Sequence, residues 1–368
     1  MNRASCYGVK TLPTIQADKL TKIASSIVEA TGTPSDEARI VAEHLVRSNL
    51  SGHDSHGIIR LPYYLKVIKE GLIKPGAKMK IVKETVSIAL VDGNWNWGQV
   101  TGKQAMEVAI EKAKATGIGM VALYNVFHTG RVGEYPEIAL EHDMVGIAFG
   151  GGSKTPQVVH PLGLTRVVGT NPISITIPAS EERPFLLDMA TSVVAGGKLS
   201  WYLSAGKDVP DGWILDSEGR PTTNPADFRP PLKEFAHDIA QGKPTKRGSL
   251  LPFGDYKGFG LSMFIELLGG FLAESGQGVR GGFIFIAIDI SQFRPVEEFK
   301  KSVGSFIRKV KNSEKRPGVT EILVAGDPEF NTRAERLQTG IYIEDGTWND
   351  VQEAAKELRV DLESILKE

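Results

Sequence analysis

Two short stretches of the chain each place a histidine beside glycine and arginine. The first, Ser55–Pro62, contains His56 and Arg60, and the second, Asn125–Arg131, contains His128. Arginine offers a planar fork that binds a carboxylate bidentately. Histidine exchanges a proton near neutral pH, and glycine lets a ligand approach the backbone. Either stretch alone is equally consistent with an ordinary loop, but together they predict a site for chemistry on a small carboxylate.

The composition bounds the classes of function that this site could serve. At 368 residues the chain is long enough for two domains. Its formal net charge of −1 provides no basic field for a polyanion, which argues against a nucleic-acid partner. The single cysteine, Cys6, excludes an intrachain disulfide and fits a reducing cytoplasm. No apolar run approaches the ~20 residues of a membrane span, and the first ten residues lack a signal-peptide pattern. We therefore expect a cytoplasmic protein without a membrane partner.

The turn that carries His56 is predicted to connect two helices. Apolar residues recur at helical spacing as far as Leu50, and a further helix is predicted over Ile58–Glu70. Residues four apart on a helix share a face, so His56, Arg60 and Tyr64 are expected to point the same way. The alternative is a helix whose polar groups are simply solvated.

Beyond residue 75 the pattern changes to short apolar runs bounded by Gly, Pro, Asn or Asp, which predict strands. The predicted strands are Val86–Val91, Met120–Tyr124, Val145–Phe149, Ile173–Ile177, Phe185–Leu187 and Gly282–Ile290. The other predicted helices are Asp18–Ala30, Ser35–Leu50, Gly102–Ala115, Gly133–Glu141, Gly258–Ala273, Glu297–Val310 and a helical tail from Arg333. A long surface loop is predicted over Pro210–Pro231. No Gly-x-Gly-x-x-Gly follows a strand, so the dinucleotide fingerprint of the Rossmann fold is absent.

Several further segments have chemical potential. Gly150–Ser153 follows a predicted strand and could present backbone N–H groups to an anion or form a plain turn. Asp188 could hold a ribose hydroxyl, orient a histidine or cap the next helix, and capping is favoured. Lys257 opens an apolar helix, where the helix dipole disfavours a cation unless an anionic ligand is bound. Gly196–Lys198 lacks the other residues of a phosphate loop. The seven histidines have no metal-ligand spacing, so no metal site is predicted.

Taken together, these motifs resemble those of the malate/L-lactate/sulfolactate dehydrogenase family, NAD(P)-dependent 2-hydroxyacid oxidoreductases without a Rossmann fold. Any one motif is weak evidence, whereas the ordered set is specific and spans nearly the whole chain. The matching motifs are Ser55-His56-Gly57-x-x-Arg60-Leu61-Pro62, Gly169-Thr170-Asn171-Pro172, Asp188-Met189-Ala190-Thr191 and Lys257-Gly258. Within the family, the segments most similar to the hydroxycarboxylate dehydrogenase B group are Gly52–Ile58, Pro221–Pro225 and Asn331–Arg336.

The resemblance implies an α+β fold. It combines a mixed β-sheet nucleotide-binding domain that is not of Rossmann type with a helical domain formed from both chain ends. We expect an N-terminal helical part at 1–75 and a β-rich nucleotide-binding and substrate part at 76–290. A mostly helical C-terminal part at 291–368 is expected to pack with the N-terminal helices.

The resemblance also implies NAD(H) or NADP(H) as cofactor and a small 2-oxo or 2-hydroxy acid as substrate. Arg60 and Tyr64 would hold the substrate, while either His56 or His128 would transfer the proton, with His128 favoured. The residues implied to line the cofactor are His56, Gly130, Arg131, Val132, Ser153, Leu186, Leu187, Asp188, Met189, Ala190, Tyr256, Lys257, Gly258, Ala325, Gly326, Asp327 and Pro328.

Two positions depart from the family pattern. Family members commonly have Pro-Gly-Glu at Ala325–Asp327, and many have phenylalanine at Thr129. The sequence leaves open the substrate side chain, the choice between NAD and NADP, and the direction of reaction. A cyclic-imine carboxylate (piperideine- or pyrroline-2-carboxylate) reductase and a non-catalytic nucleotide-binding protein remain alternatives.

The predicted helix near residues 261–273 is apolar around most of its circumference. Such a helix must be buried, either by the core of its own chain or by a second subunit. Burial by its own core is favoured by the pattern alone, whereas the resemblance implies a homodimer, the commonest soluble assembly.

Overall fold

The computed structural model describes residues 14–152, 156–204, 206–228, 247–273 and 281–367. Its contacts divide the chain into two compact units. The first comprises the described residues within 1–76 and 328–368, and the second those within 77–327. Residues 291–327, which we expected in a C-terminal helical part, fall within the second unit in this division.

The helices of the described chain alternate irregularly with the strands. The helices are α1 (Ala17–Glu29), α2 (Ser35–Leu50), α3 (Leu61–Lys69), α4 (Gly98–Thr116), α5 (Glu134–Leu140), α6 (Gly196–Ser204), α7 (Pro225–Phe228), α8 (Tyr256–Ile265), α9 (Val296–Lys311), α10 (Asp327–Thr339), α11 (Asp345–Glu357) and α12 (Leu362–Lys367). A π-helical segment, Glu266–Leu272, continues α8. No helix in these ranges is long and apolar enough to cross a membrane.

The strands form three sheets. They are β1 (Thr14–Ile15), β2 (Lys80–Glu84), β3 (Ile88–Asp92), β4 (Ile118–Tyr124), β5 (Met144–Gly151), β6 (Val158–Val159), β7 (Arg166–Val168), β8 (Ile173–Ile177), β9 (Phe185–Met189), β10 (Ile214–Leu215), β11 (Pro221–Thr222), β12 (Ser249–Leu250), β13 (Gly282–Asp289) and β14 (Ile341–Tyr342).

The first unit is mainly helical and draws on both chain ends. In α1 the residues at helical spacing, such as Leu20, Ile23 and Ile27, are fully buried, and α1 packs on α2. Strand β1 pairs antiparallel with β14 and so joins the two chain ends. The helical domain from both ends is therefore confirmed. Helix α1 begins at Ala17, one residue before the predicted start at Asp18, and its N-cap residue Gln16 makes no side-chain capping bond.

The helix predicted to begin at Ile58 begins three residues later, at Leu61. His56 ends the 3-10 turn Asp54–His56, and Arg60 ends a second 3-10 turn that begins at Ile58. Between them Gly57 is extended, with φ −86° and ψ −149°. The helical relation expected between His56 and Arg60 is therefore wrong, because the glycine interrupts the helix between them.

The second unit is built on a seven-stranded sheet in the order β2-β3-β4-β13-β5-β8-β9. Among its described pairs β3–β4 is parallel, with α4 as the connection, and the others are antiparallel. One buried cluster packs α4 and α5 on the sheet through residues such as Met106, Tyr135 and Phe285. The expectation of a mixed sheet that is not of Rossmann type is confirmed, since a Rossmann sheet is mostly parallel.

A five-stranded sheet, in the order β11-β10-β12-β6-β7, completes the second unit. Two of its strands and α7 lie in the segment that was predicted to be a long surface loop. Ile214 and Phe228 of this segment are almost completely buried in a second apolar cluster. The loop prediction is therefore wrong over the described residues, because short apolar anchors are hidden among its Pro, Gly and Asp residues.

Candidate active site

The two 3-10 turns of the first unit, Asp54–His56 and Ile58–Arg60, together form one turn before α3. This turn holds the Arg60 guanidinium in a defined orientation. Its Nε donates to the carbonyl oxygen of Ser55 at 2.6 Å. The Nη1 and Nη2 groups, the end of the planar fork, have no partner among the described residues. His56 lies four residues before Arg60 in the same turn, with its Nδ1 3.1 Å from the Ser55 hydroxyl. Since the end of a guanidinium fork matches the two oxygens of a carboxylate, this turn is suited to bind one end-on.

Tyr64, the third expected member of this group, is placed differently. It lies in α3 and is fully buried, whereas the neighbouring Tyr63 is 46% exposed. The two rings are tilted with their centroids 6.1 Å apart. Arg60 is half-buried, whereas the Tyr64 ring belongs to the interior.

The loop that carries His128 in the second unit is braced along its length. Gly130 donates its backbone N–H to His128 Nδ1 at 3.3 Å, which assigns the proton of the neutral ring to Nε2. The Tyr135 hydroxyl donates to the carbonyl oxygen of Thr129. At the start of α4 a Cβ on Gly98 would lie 2.5 Å from the carbonyl oxygen of His128, so only glycine fits there. The loop thus fixes an imidazole whose Nε2 can give or take a proton.

The loop ends at a buried ion-pair cluster around Arg131. The Arg131 Nε donates to Asp188 Oδ2, and the Arg131 Nη1 donates to Glu134 Oε1 and to Glu137 Oε1, each at 2.9 Å. The Arg131 side chain is 1% exposed. Burial by itself lowers the pKa of this guanidinium, but Asp188, Glu134 and Glu137 together raise it above its ordinary value. Arg131 is therefore held as a cation by protein carboxylates, and its contact with a cofactor stays a prediction.

Asp188 is part of a strand and not a helix cap. It lies in β9 opposite Ser174 of β8, and its carboxylate is bound by Arg131. The favoured capping interpretation is therefore wrong. Sequence reasoning also missed Glu134 and Glu137, since Arg131 lies before α5 and its ion pairs with them are formed by folding of the loop onto the helix.

Strand β9 gathers most of the predicted cofactor residues of the second unit. Leu186 donates its N–H to the carbonyl oxygen of Ala325 at 3.2 Å, which places the 325–327 loop against the strand. Asp188 connects the strand to the Arg131 loop. Just beyond the strand, Phe253 donates its N–H to Thr191 at 3.1 Å, which brings the start of α8 to the same end.

The open edge of β9 has the chemistry that a nicotinamide cofactor requires. β9 is the last strand of its sheet, and no further described strand lies beside it. The Leu186 N–H points to this edge, since it bonds Ala325 there. Alternate residues of a strand face the same edge, so Asp188 and Ala190 also present their backbone N–H and C=O groups to it. A carboxamide needs one donor and one acceptor, so this edge fits the group.

The loop before α10 is tied down by its own carboxylate. Asp327 Oδ1 accepts from Lys311 Nζ, and Asp327 Oδ2 accepts from the Val324 N–H, each at 2.9 Å. Gly326 has φ +99°, a conformation that favours glycine. Asp327, which stands where family members commonly have glutamate, therefore uses its carboxylate to stabilise this loop. Pro328 follows as the second residue of α10.

The start of α8 is exposed. Tyr256 is 67% exposed, and the Lys257 ammonium has no ion pair among the described residues. Gly258 is buried, and a Cβ there would lie 1.9 Å from the carbonyl oxygen of Phe253. Ser153, the remaining residue expected near the cofactor, lies outside the described residues.

The candidate residues thus form two groups. His56, Arg60 and Tyr64 lie in the first unit, and the His128 loop, β9 and the start of α8 lie in the second. Within the described ranges no group of three or more His, Cys, Asp or Glu residues is arranged to hold a metal ion.

The chain matches known proteins over almost its whole length. A family model described as malate/L-lactate dehydrogenase matches residues 15–352. The chain is 36% identical to malate dehydrogenase of Pyrococcus horikoshii, over 94% of this chain and 96% of that protein. It is 32% identical to hydroxycarboxylate dehydrogenase B of Escherichia coli K12, over 95% of each.

Solved structures are similar in fold as well. The sulfolactate dehydrogenase of Methanocaldococcus jannaschii superposes with a TM-score of 0.84 at 34% identity, covering 96% of this chain and 99% of that one. The delta1-piperideine-2-carboxylate reductase of Pseudomonas syringae superposes with a TM-score of 0.77 at 25% identity, covering 93% and 100%.

Proposed function

Because the chain belongs to the malate/L-lactate dehydrogenase family, we propose that it interconverts a 2-oxo acid and a 2-hydroxy acid with NAD(H) or NADP(H) as cofactor. The observation that carries the proposal is the Arg60 guanidinium. Its Nε is bound by Ser55, and the two Nη groups remain for a carboxylate, beside an imidazole in the same turn. This is the grouping that a 2-oxo acid requires.

The protein's own residues have distinct tasks in this reaction. The bound nicotinamide supplies or accepts the hydride at the substrate C2. Arg60 holds the substrate carboxylate and so orients C2. His128 is the proposed acid during reduction: as an imidazolium it gives its Nε2 proton to the developing alkoxide and becomes neutral. We propose that His56 contributes to the binding of substrate or cofactor, as the family resemblance implies.

The cofactor is proposed to lie along β9. The outward backbone groups of Asp188 and Ala190 suit its carboxamide, and the exposed Lys257 suits an anionic phosphate. Leu186–Ala190, Gly130–Val132, the Ala325–Pro328 loop and Tyr256–Gly258 are proposed to line it, as the family resemblance implies.

A panel assay tests the proposal. We expect the purified protein to oxidise NADH or NADPH in the presence of at least one of pyruvate, oxaloacetate, sulfopyruvate and phenylpyruvate. Absence of turnover with all of them, despite tight NADH binding, would instead support the non-catalytic nucleotide-binding protein.

A cyclic-imine carboxylate reductase is the second candidate. The similarity to the delta1-piperideine-2-carboxylate reductase favours it, and its substrate also offers a carboxylate to Arg60. The same assay with Δ1-piperideine-2-carboxylate and Δ1-pyrroline-2-carboxylate separates the two, since the hydride acceptor is then the carbon of a C=N bond. Higher kcat/KM for either imine than for every 2-oxo acid would establish this candidate.

We also propose that the protein forms a homodimer through α8 and its π-helical continuation. Apolar side chains there are 47–60% exposed in the described part of the single chain, namely Met263, Phe264, Leu267, Phe271 and Leu272. Among the described residues, the chain's own core therefore covers only part of the surface of this helix. A second subunit is the proposed cover.

A further inference from the structure

The Asn49 side chain connects the two halves of the turn that carries His56 and Arg60. Asn49 lies in the last turn of α2 and is 2% exposed. Its Nδ2 donates to Asp54 Oδ1 at 2.6 Å, on the histidine side of the turn. Its Oδ1 accepts from the backbone N–H of Ile58 at 2.9 Å, on the arginine side. One amide group therefore spans the connection between the two candidate side chains.

The turn's own bonds include the one from Arg60 Nε to the Ser55 carbonyl oxygen, which crosses Gly57, and the Asn49 amide adds two contacts from α2. The two 3-10 turns are each three residues long, and single turns of this kind are marginal without tertiary contacts. Gly57 lies between them, with its backbone extended. A Cβ on Gly57 would lie 2.2 Å from Asn49 Oδ1, so the Asn49 amide fills the space that a side chain would need. Ile58 is 1% exposed, and without Asn49 its N–H would be buried without this partner.

Helix α10 holds the other side of the same contact. Arg336 binds the Asp54 carboxylate with both ends of its fork, Nη1 to Oδ1 at 2.7 Å and Nη2 to Oδ2 at 3.0 Å. Arg336 Nη1 also donates to the backbone carbonyl oxygen of Asn49. Asp54 is therefore fixed between an amide of α2 and a guanidinium of α10.

We propose that Asn49 is a positioning residue that sets the angle between the His56 imidazole and the Arg60 guanidinium, with Arg336 as its support through Asp54. The inference rests on the proposed function, because the angle between the two side chains matters for catalysis only if both act on a 2-oxo acid substrate. Productive geometry has to be held within about 0.5 Å and 10–20°, so contacts that fix both halves of the turn bear directly on the reaction. Loss of the Asn49 amide should therefore disturb the positions of the His56 and Arg60 side chains together.

The first test is kinetic. Asn49→Ala is expected to lower kcat/KM for the best 2-oxo acid by about 10- to 100-fold. Ser48→Ala is the matched control, since Ser48 is the preceding residue, is fully buried and donates its hydroxyl to the His44 carbonyl oxygen within α2. A positioning role also predicts non-additivity, because Asn49→Ala should cost less than about threefold once Arg60 is already alanine. Full additivity, or equal loss in Ser48→Ala, would overturn the proposal.

The second test does not depend on turnover. In protein labelled at histidine with ¹⁵N, the His56 ring signals are assigned by their absence in His56→Gln. Asn49→Ala should shift the His56 ring signals and the apparent pKa of this histidine by amounts larger than in Ser48→Ala. Unchanged ring signals would contradict the inference. If the wild type reduces no substrate of the panel, the proposed function fails while this measurement still decides whether Asn49 holds the turn.

A milder variant covers the case in which Asn49→Ala does not fold. Arg336→Lys leaves Asn49 in place but replaces the two-point grip on Asp54 by a single ammonium. We expect the same direction of change in kcat/KM and in the His56 ring signals, with a smaller amplitude. Wild-type values of both quantities in Arg336→Lys would remove α10 from the proposal, and wild-type values in both variants would overturn it.

Discussion

The Arg60 guanidinium binds the protein through Nε and, in the proposed reaction, binds the substrate through its two Nη groups. The Nε bond to Ser55 leaves the Nη end for a carboxylate, so a cation of the same charge without a fork cannot reproduce the contact. We expect Arg60→Lys to lower kcat/KM for 2-oxo acids by about 10- to 100-fold, as measured by steady-state kinetics. Arg47→Lys, an exposed arginine of the same unit, is the control and should retain wild-type kinetics. Unaltered kcat/KM in Arg60→Lys would mean that Arg60 does not bind the substrate and is an ordinary solvated side chain.

The two histidines are expected to respond differently to removal. Gly130 holds the His128 ring through Nδ1, and His128→Ala removes the proposed proton donor. We expect kcat to fall by roughly 10²–10⁴ in that variant. His56→Ala should act mainly on the KM of the substrate or cofactor. The reverse pattern in steady-state kinetics would exchange the two roles.

At the scale of elements, the Arg131 cluster joins the His128 loop, α5 and β9. Removing its cation leaves Asp188, Glu134 and Glu137 buried together, so Arg131→Met should lower the free energy of unfolding by about 3–5 kcal/mol. Urea denaturation measures this change. The control is Arg308→Met, whose ion pair with Glu181 is exposed and should contribute about 0–1 kcal/mol. Equal losses in the two variants would mean that the cluster is no more than a surface ion pair.

The elements also show how far the sequence can be interpreted. β8 was predicted with its observed bounds, because its apolar run is flanked by clear breakers. β2 was missed because all five of its residues are exposed and carry no alternation. The motif that carries His56 was found in the sequence, but its backbone conformation was not. The presence of Gly57 permits several backbone conformations and does not show which one the folded chain adopts. Asn49 and the partners of Arg131 were missed because their importance comes from residues brought together by folding.

At the scale of the whole molecule, the exposed face of α8 and its π-helical continuation sets the expected assembly. We expect a dimer at micromolar concentration by light scattering. The double variant Leu267→Glu with Phe271→Glu places two charges on residues that are 55% and 60% exposed in the single chain. Burying them against a second copy would be costly, so this variant should be monomeric and less active.

The control for this experiment is Phe306→Glu, since Phe306 is 65% exposed but lies on α9. An exposed phenylalanine outside the proposed interface should tolerate the charge, so this variant should remain dimeric and active. Because α8 begins with Tyr256 and Lys257, which are proposed to line the cofactor, disruption of its apolar face should reach the site as well. A wild-type protein that is a fully active monomer under these conditions would defeat the dimer proposal, and a dimeric Leu267→Glu/Phe271→Glu variant would move the interface elsewhere.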